Sequence, residues 1–340
     1  MPPRKKLDIR ISLYDNTCME QLLTALRATA EPTRLRILAL AARGSFCVME
    51  FTEILGQSQP RLSRHLRLLC EANLLDRVRE GANVWFALPA PDTAAGALAH
   101  AILTRLPEDD ETLASDRRQA ARVLSERARA ASESFRRTGA DWDEMRALDL
   151  PGASVEQALL ELLPATGIGR LLDIGTGTGR LLELLAPRVT SALGVDASRS
   201  MLALARARLA KPGLTHCAVR LADMYRLPLP DAGYDAVILH MVLHHAEDPT
   251  GTLAEAARVL RPGGTLIVVD LAAHADADAI VRLAHRWPGF TDTQMHSFFS
   301  AAGLFPSASQ SIVGPMEVKL WPACRTATAA PADRQMEDAS

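Results

Sequence analysis

No stretch of the 340-residue sequence stays apolar for the roughly 18 positions a membrane helix needs, which excludes a spanning helix. The opening MPPRKKLDIR is basic with no apolar segment behind it, so a soluble cytoplasmic protein without membrane association is expected. Cysteine is scarce: Cys18, Cys47, Cys70, Cys217 and Cys324 are odd in number, scattered and never spaced as CxxC. That pattern argues against a disulfide framework or a zinc ribbon and for reduced thiols. Neither sign of charge dominates, the formal net charge being -2. Residues 1–90 nevertheless hold 13 Lys and Arg against 9 Asp and Glu, while the remainder hold 25 against 31. Only the N-terminal quarter suits a polyanion, and its surplus permits DNA binding without proving it.

What is present suits two domains, since 48% hydrophobic residues over this length can fill two cores. From Met19 to about Leu74 the apolar residues recur at helical spacing; Val78, Val84, Trp85, Phe86 and Leu88 then flank the polar break Glu80-Gly81-Ala82-Asn83. Helices followed by a hairpin are predicted. Two more helices are expected on either side of Pro107, the second from about Leu113 to Arg137. Beyond Pro164 the runs RLLDIG, ALGVD, YDAVILH and TLIVVD alternate with helical patterns, as in a parallel sheet with crossover helices. The expected divisions are a flexible start (1–15), a helical and hairpin domain (16–106), a helical linker or lid (107–150), an α/β domain (151–324) and a disordered tail (325–340).

In RLLDIGTGTGRLLELLA a buried strand runs through Gly175-Thr176-Gly177-Thr178-Gly179 into an amphipathic helix, placing the glycines on the strand-to-helix turn. Glycine there lets the backbone approach a ligand at the carboxyl edge of the sheet. The next strand ends in Asp196, about 20 residues on, where an acid can accept both ribose hydroxyls. The loop reads GxGxG, not the GxGxxG of a nicotinamide dinucleotide site, and Asp173 would repel a phosphate but attract an ammonium or sulfonium. Pro262-Gly263-Gly264 reads as a turn between helix and strand.

The strings DIGTGTG, VD, LADMYRLPLPDAGYDAVILHMVLHH and ARVLRPGGTLIVVD resemble successive motifs of class I methyltransferases, particularly the quinone-biosynthesis-like small-molecule branch. The resemblance implies a Rossmann-like fold and the cofactor S-adenosylmethionine, with S-adenosylhomocysteine as product. It assigns the aminocarboxypropyl group to Asp173, Gly175, Thr176, Gly177 and Gly179, and the ribose to Asp196. It gives the adenine amino group to Asp223 with Met224 beside the ring, and adds Ala197, Met201, Ala222 and His240 as cofactor contacts. His240, His244 and His245 follow a strand at the cofactor edge and are the candidates for accepting a proton from the methyl acceptor. The segment LHMVLHH lacks the Asn/Asp-Pro-Pro-aromatic turn of DNA amino-methyltransferases, and Trp321-Pro322-Ala323-Cys324 is not a Pro-Cys nucleophile, so a DNA base is not the expected acceptor.

The segment from Glu31 to Pro89 resembles the ArsR/SmtB winged helix-turn-helix repressors along its length. Leu62, Leu66, Leu69 and Cys70 form an apolar stripe on a helix opened by Ser58 and Pro60, which can lie in a major groove. Gln59, Arg61, Ser63, Arg64 and His65 are the expected base and phosphate contacts, with Arg77, Arg79 and Asn83 as wing contacts; Arg67 is read as solvated. The resemblance implies a homodimer, paired through residues 17–29 and 93–105, on double-stranded operator DNA. Arsenic-sensing relatives carry Cys-Val-Cys where this chain has Cys47-Val48-Met49, and His100 with Asp92 is not the zinc-sensing pattern, so no metal is expected.

Between the two, Phe135 and Trp142 flank a polar turn and either lid the cofactor site or dock a helix. The expected protein is a transcriptional regulator fused to a methyltransferase acting on an undefined small molecule. The alternative is a repressor in which the same fold senses S-adenosylmethionine or S-adenosylhomocysteine with little turnover.

Overall fold

The computed structural model describes residues 13–80, 83–91, 93–107, 109–138, 150–211, 213–275 and 286–326. Trp142, the side chains of Cys18 and Phe135, Asp92 and the tail from 327 lie outside the described residues. The chain divides into two compact units, Met1–Val123 and Leu124–Ser340.

The first unit comprises α1 (Leu13–Thr29), α2 (Pro32–Ala41), β1 (Phe46–Cys47), α3 (Val48–Leu55), α4 (Gln59–Glu71), β2 (Asp76–Glu80), β3 (Asn83–Ala87), α5 (Ala94–Leu103) and the start of α6 (Glu111–Thr138). Glu31 caps α2, its carboxylate accepting the Arg34 N–H at 2.9 Å. α3 ends at Gly56, left-handed at φ 63°, and α4 starts after Ser58 with Pro60 in its first turn. Leu62, Leu66 and Leu69 are fully buried as the spacing predicts, whereas Cys70 is only half-buried at the margin of the stripe. β1 pairs with β3, and β3 with β2, in an antiparallel sheet of order β1-β3-β2. Phe51 bridges it to the helices, its ring 5.6 Å from Phe46 and 6.5 Å from Phe86. Leu113, Ala120 and Val123 of α6 are buried, and Arg36 on α2 forks onto Asp116 at 2.6 and 2.7 Å. The two compact units part inside α6, between Val123 and Leu124.

The second unit holds α7 (Gly152–Leu162), β4 (Ile168–Ile174), α8 (Arg180–Leu185), β5 (Val189–Asp196), α9 (Arg199–Leu209), β6 (Cys217–Leu221) and β7 (Tyr234–His240). A single 3-10 turn (Leu243–His245) precedes α10 (Pro249–Val259), β8 (Leu260–Leu271), α11 (Asp292–Ala301), β9 (Leu304–Pro306), β10 (Gln310–Ile312) and β11 (Val318–Arg325). The strands form one sheet of order β10-β11-β8-β7-β4-β5-β6, with β9 on β11. Strands β6, β5, β4, β7 and β8 run parallel, and β11 lies antiparallel on β8. Both faces are covered: Leu171 packs in one apolar cluster and its neighbour Leu172 in the other. Pro262-Gly263-Gly264, expected as a turn before the strand, lies within the bounds of β8 at an irregularity, where the register with β7 jumps from Tyr234–Leu260 to Ala236–Thr265. Among the described residues no helix is long and apolar enough to cross a membrane.

Candidate functional site: a nucleoside cavity at the sheet edge

β4 and β5 end side by side at the centre of the sheet, and their backbones are stitched together beyond the last ladder pair. The N–H groups of Gly175 and Thr176 both donate to the Val195 carbonyl, at 2.8 and 3.0 Å. Gly175 has φ 77° and faces Val242: a Cβ there would meet Val242 Cγ2 at 2.4 Å. The close approach that demands this glycine is thus from the protein itself. Gly177, at φ 51°, has nothing within 4 Å of the position a Cβ would take and turns its backbone toward open cavity space.

That cavity has a volume of about 1250 Å³ and is lined by Asp173, Gly175, Thr176, Gly177, Asp196, Ala197, Met201, Ala222, Asp223, Met224, His240 and His245, among others. Gly179 is absent from the lining; at φ 72° it caps α8, and a Cβ there would meet Ala205 Cβ at 3.1 Å. Each acid has its own environment. Asp173 is 1% exposed, neither carboxylate oxygen has a hydrogen-bond partner, and burial, reinforced by the nearby charge of Asp196, pushes its pKa up to about 7. Asp196 accepts the Gly177 N–H at 2.8 Å and the Ser198 N–H at 2.7 Å, and burial raises its carboxyl above the ordinary range. A carboxylate has lone pairs beyond those two bonds, so it can still accept from a ribose. Asp223 is exposed and accepts the Tyr225 N–H at 3.0 Å, a local turn that leaves its second oxygen for a ligand.

The three histidines separate. His240 closes β7 on the cavity wall, and burial holds its pKa below the usual imidazole value. His245 also lines the cavity. His244 does not: it is 0% exposed, and its Nδ1 lies 2.7 Å from Oδ1 of the equally buried Asp270. Asp270 Oδ2 further accepts the N–H groups of Leu243 and His244, at 3.0 and 3.2 Å. Of the three expected histidines the structure thus places His240 and His245 on the cavity and His244 behind it, with Nδ1 and the backbone N–H of His244 bonded to Asp270. Sequence reasoning also passed over Glu156 and Arg180, which line the cavity and form a forked ion pair with both bonds at 2.8 Å.

On the first unit, Gln59, Arg61, Ser63 and Arg64 are exposed along the N-terminal half of α4, and Arg77, Arg79 and Asn83 are exposed on the hairpin. Arg67 is exposed and sits 3.6 Å from Glu71. His65 departs from its expected neighbours: its side chain is 12% exposed, its Nδ1 is 3.7 Å from Glu31, and burial lowers its pKa. Among the described residues no three His, Cys, Asp or Glu side chains gather as a metal site.

A glycine turn after the central strand, an acid on the next, and an antiparallel closing strand are the architecture of the class I methyltransferase fold, and the first unit has the helices and hairpin of a winged helix-turn-helix. Residues 172–268 match the methyltransferase domain family and residues 31–77 the bacterial regulatory protein arsR family. A demethylmenaquinone methyltransferase of Tropheryma whipplei is 34% identical over 121 residues, 36% of this chain and 49% of that protein. An uncharacterized 37.1 kDa protein in transposon TN4556 of Streptomyces fradiae is 39% identical over 118 residues, 34% of each chain. The chain thus spans about a third to a half of the length of these relatives. The solved YcgJ protein of Bacillus subtilis aligns at 18% identity with a TM-score of 0.46, over 51% of this chain and 99% of its own.

The methyltransferase domain assigns S-adenosylmethionine as the cofactor, and the residues present fit it. Asp173 offers a buried, unpartnered carboxylate to a cation, and Asp196 offers acceptor capacity to a ribose. The cofactor supplies an activated methyl group.

Proposed function

We propose that this chain is a dimeric, DNA-binding transcriptional regulator whose second unit methylates a small molecule. The observation that carries the enzymatic part is the cavity: its volume of about 1250 Å³ exceeds the roughly 300–1,000 Å³ of an ordinary small-ligand pocket. Room for an acceptor beside the cofactor is what a methyltransferase needs, since holding the two reactants in line supplies most of the acceleration. His240, kept neutral at neutral pH by burial, is a group able to accept the acceptor's proton, with His245 the second candidate on the same wall. The similarity to a protein named for demethylmenaquinone favours a small-molecule acceptor over a nucleic acid.

The regulatory part is supported by the arsR-family match and by the exposed Arg61 and Arg64 on α4 with Arg77 on the hairpin. Met19, Leu22, Leu23 and Leu26 of α1 are large apolar side chains left 40–58% exposed, a surface suited to a second copy of the chain.

The experiment is release of S-adenosylhomocysteine from S-adenosylmethionine in the presence of a protein-free small-molecule extract, run beside a gel shift on DNA from around the coding region. Extract-dependent release and a retarded band are expected. No release, with operator binding that instead responds to either cofactor form, would replace the enzymatic reading by the sensing one.

A further inference from the structure

Three of the cavity's features find a ligand group in the reading above: Asp173 a cation, Asp196 the ribose and Asp223 the adenine. One charged group of S-adenosylmethionine has no side chain of opposite charge in that scheme, the carboxylate of the aminocarboxypropyl arm that the glycine loop is read as holding. Four acids line the cavity among the described residues (Glu156, Asp173, Asp196 and Asp223), so an incoming carboxylate meets repulsion unless a cation is placed for it. Among the described residues the lining holds two permanent cations, Arg180 and Arg208.

Their positions differ. Arg180 directly follows Gly179, at the end of the loop read as holding the aminocarboxypropyl group. Arg208 lies near the end of α9, with its Nη1 3.5 Å from Glu183. The guanidinium of Arg180 is held from one side: its Nε and Nη2 donate to the two oxygens of Glu156, each at 2.8 Å, while Nη1 is 3.7 Å from Glu183. A guanidinium has five N–H donors, so the fork onto Glu156 fixes its plane and leaves donors over for a second carboxylate. Glu156 in turn stands on α7, a different helix from the one that the glycine loop opens.

We propose that Arg180 receives the carboxylate of the bound cofactor, with Glu156 as the positioning residue that orients its guanidinium. The inference rests on S-adenosylmethionine occupying this cavity and adds a specificity to it: the site selects ligands that keep the amino-acid carboxylate over decarboxylated ones. Glu156 gives the selection its second half, because without Arg180 its bare charge would repel a carboxylate and attract an ammonium.

The test compares two ligands on the full chain by calorimetry: S-adenosylhomocysteine and its decarboxylated analogue S-adenosyl-3-thiopropylamine. Wild type is expected to bind the first more tightly. Arg180→Met should weaken S-adenosylhomocysteine by about 10- to 100-fold, the range of a charge-assisted hydrogen bond, and leave the decarboxylated ligand as tight or tighter. Arg180→Lys should recover part of the loss, since it restores charge without the fork. Equal weakening of both ligands would make Arg180 a merely structural residue and overturn the proposal, as would an unchanged affinity for S-adenosylhomocysteine. If wild type binds neither ligand, the assignment of the cavity to this cofactor fails instead, a result distinct from either.

Discussion

Nδ1 of His244 lies 2.7 Å from Oδ1 of Asp270, and neither residue is exposed to solvent. The pair joins the end of β8 to the turn after β7, and that turn presents His245 to the cavity and sets Val242 against Gly175. One carboxylate therefore governs how the wall opposite the glycine loop is held.

Replacing Asp270 with Ala strips acceptors from the Leu243 and His244 N–H groups and from the imidazole at once. Each buried donor left unpaired costs about 1–3 kcal/mol, so a loss of roughly 3 kcal/mol or more is expected in urea unfolding. His244→Ala should also lower stability, while folded protein keeps its affinity for S-adenosylhomocysteine. Lost cofactor binding with no loss of stability would return His244 to the site.

Asp173 gives a pH dependence. Its pKa in the folded chain is about 7, above that of the unfolded chain, so the folded state keeps a proton that the unfolded state has released. Stability of the ligand-free protein should accordingly fall as pH rises from about 4 toward 7. Binding of the cationic S-adenosylmethionine needs the ionised form, and its affinity should rise between about pH 6 and pH 8. Calorimetry across that range checks both the trend and its disappearance in Asp173→Asn. A flat profile in the wild type would remove Asp173 from the cation site.

On the DNA-facing unit, Arg64→Ala should weaken operator binding and lower the salt dependence by about one counterion, while His65→Ala should change it little. The difference follows from exposure: Arg64 is on the open face of α4, and His65 is turned against Glu31. Gel shifts at several salt concentrations measure both, and a larger effect from His65 than from Arg64 would contradict the placement.

The sequence carried the features that depend on neighbours in the chain. Alternating and continuous apolar runs located β4, β5, β7 and β8, and Ser58 with Pro60 marked the start of α4. The glycine run and Asp196 fell where a strand-to-helix turn and the next strand end bring them together. What escaped depends on distant partners. Nothing local tells which histidine of His244-His245 turns inward; Asp270, 26 positions on, decides it. The pairing of Glu156 with Arg180 joins two helices 24 positions apart. β1 is two residues long and exists only by pairing with β3, so it has no periodicity to read. Pro262-Gly263-Gly264 favours a turn, and it interrupts the ladder between β8 and β7, but that pairing starts before it at Leu260 and resumes at Thr265, which only the partner strand decides.

The measurement that bears most directly on the whole is calorimetric titration of S-adenosylhomocysteine into the full chain and into Asp196→Ala. The substitution removes the carboxylate that accepts the Gly177 and Ser198 N–H groups and is read as holding the ribose. Saturable binding of one ligand per chain, weakened at least about tenfold by the substitution, is the expected result. Equal affinity in the two proteins, or no binding to the wild type, would contradict the assignment of this cavity to the cofactor.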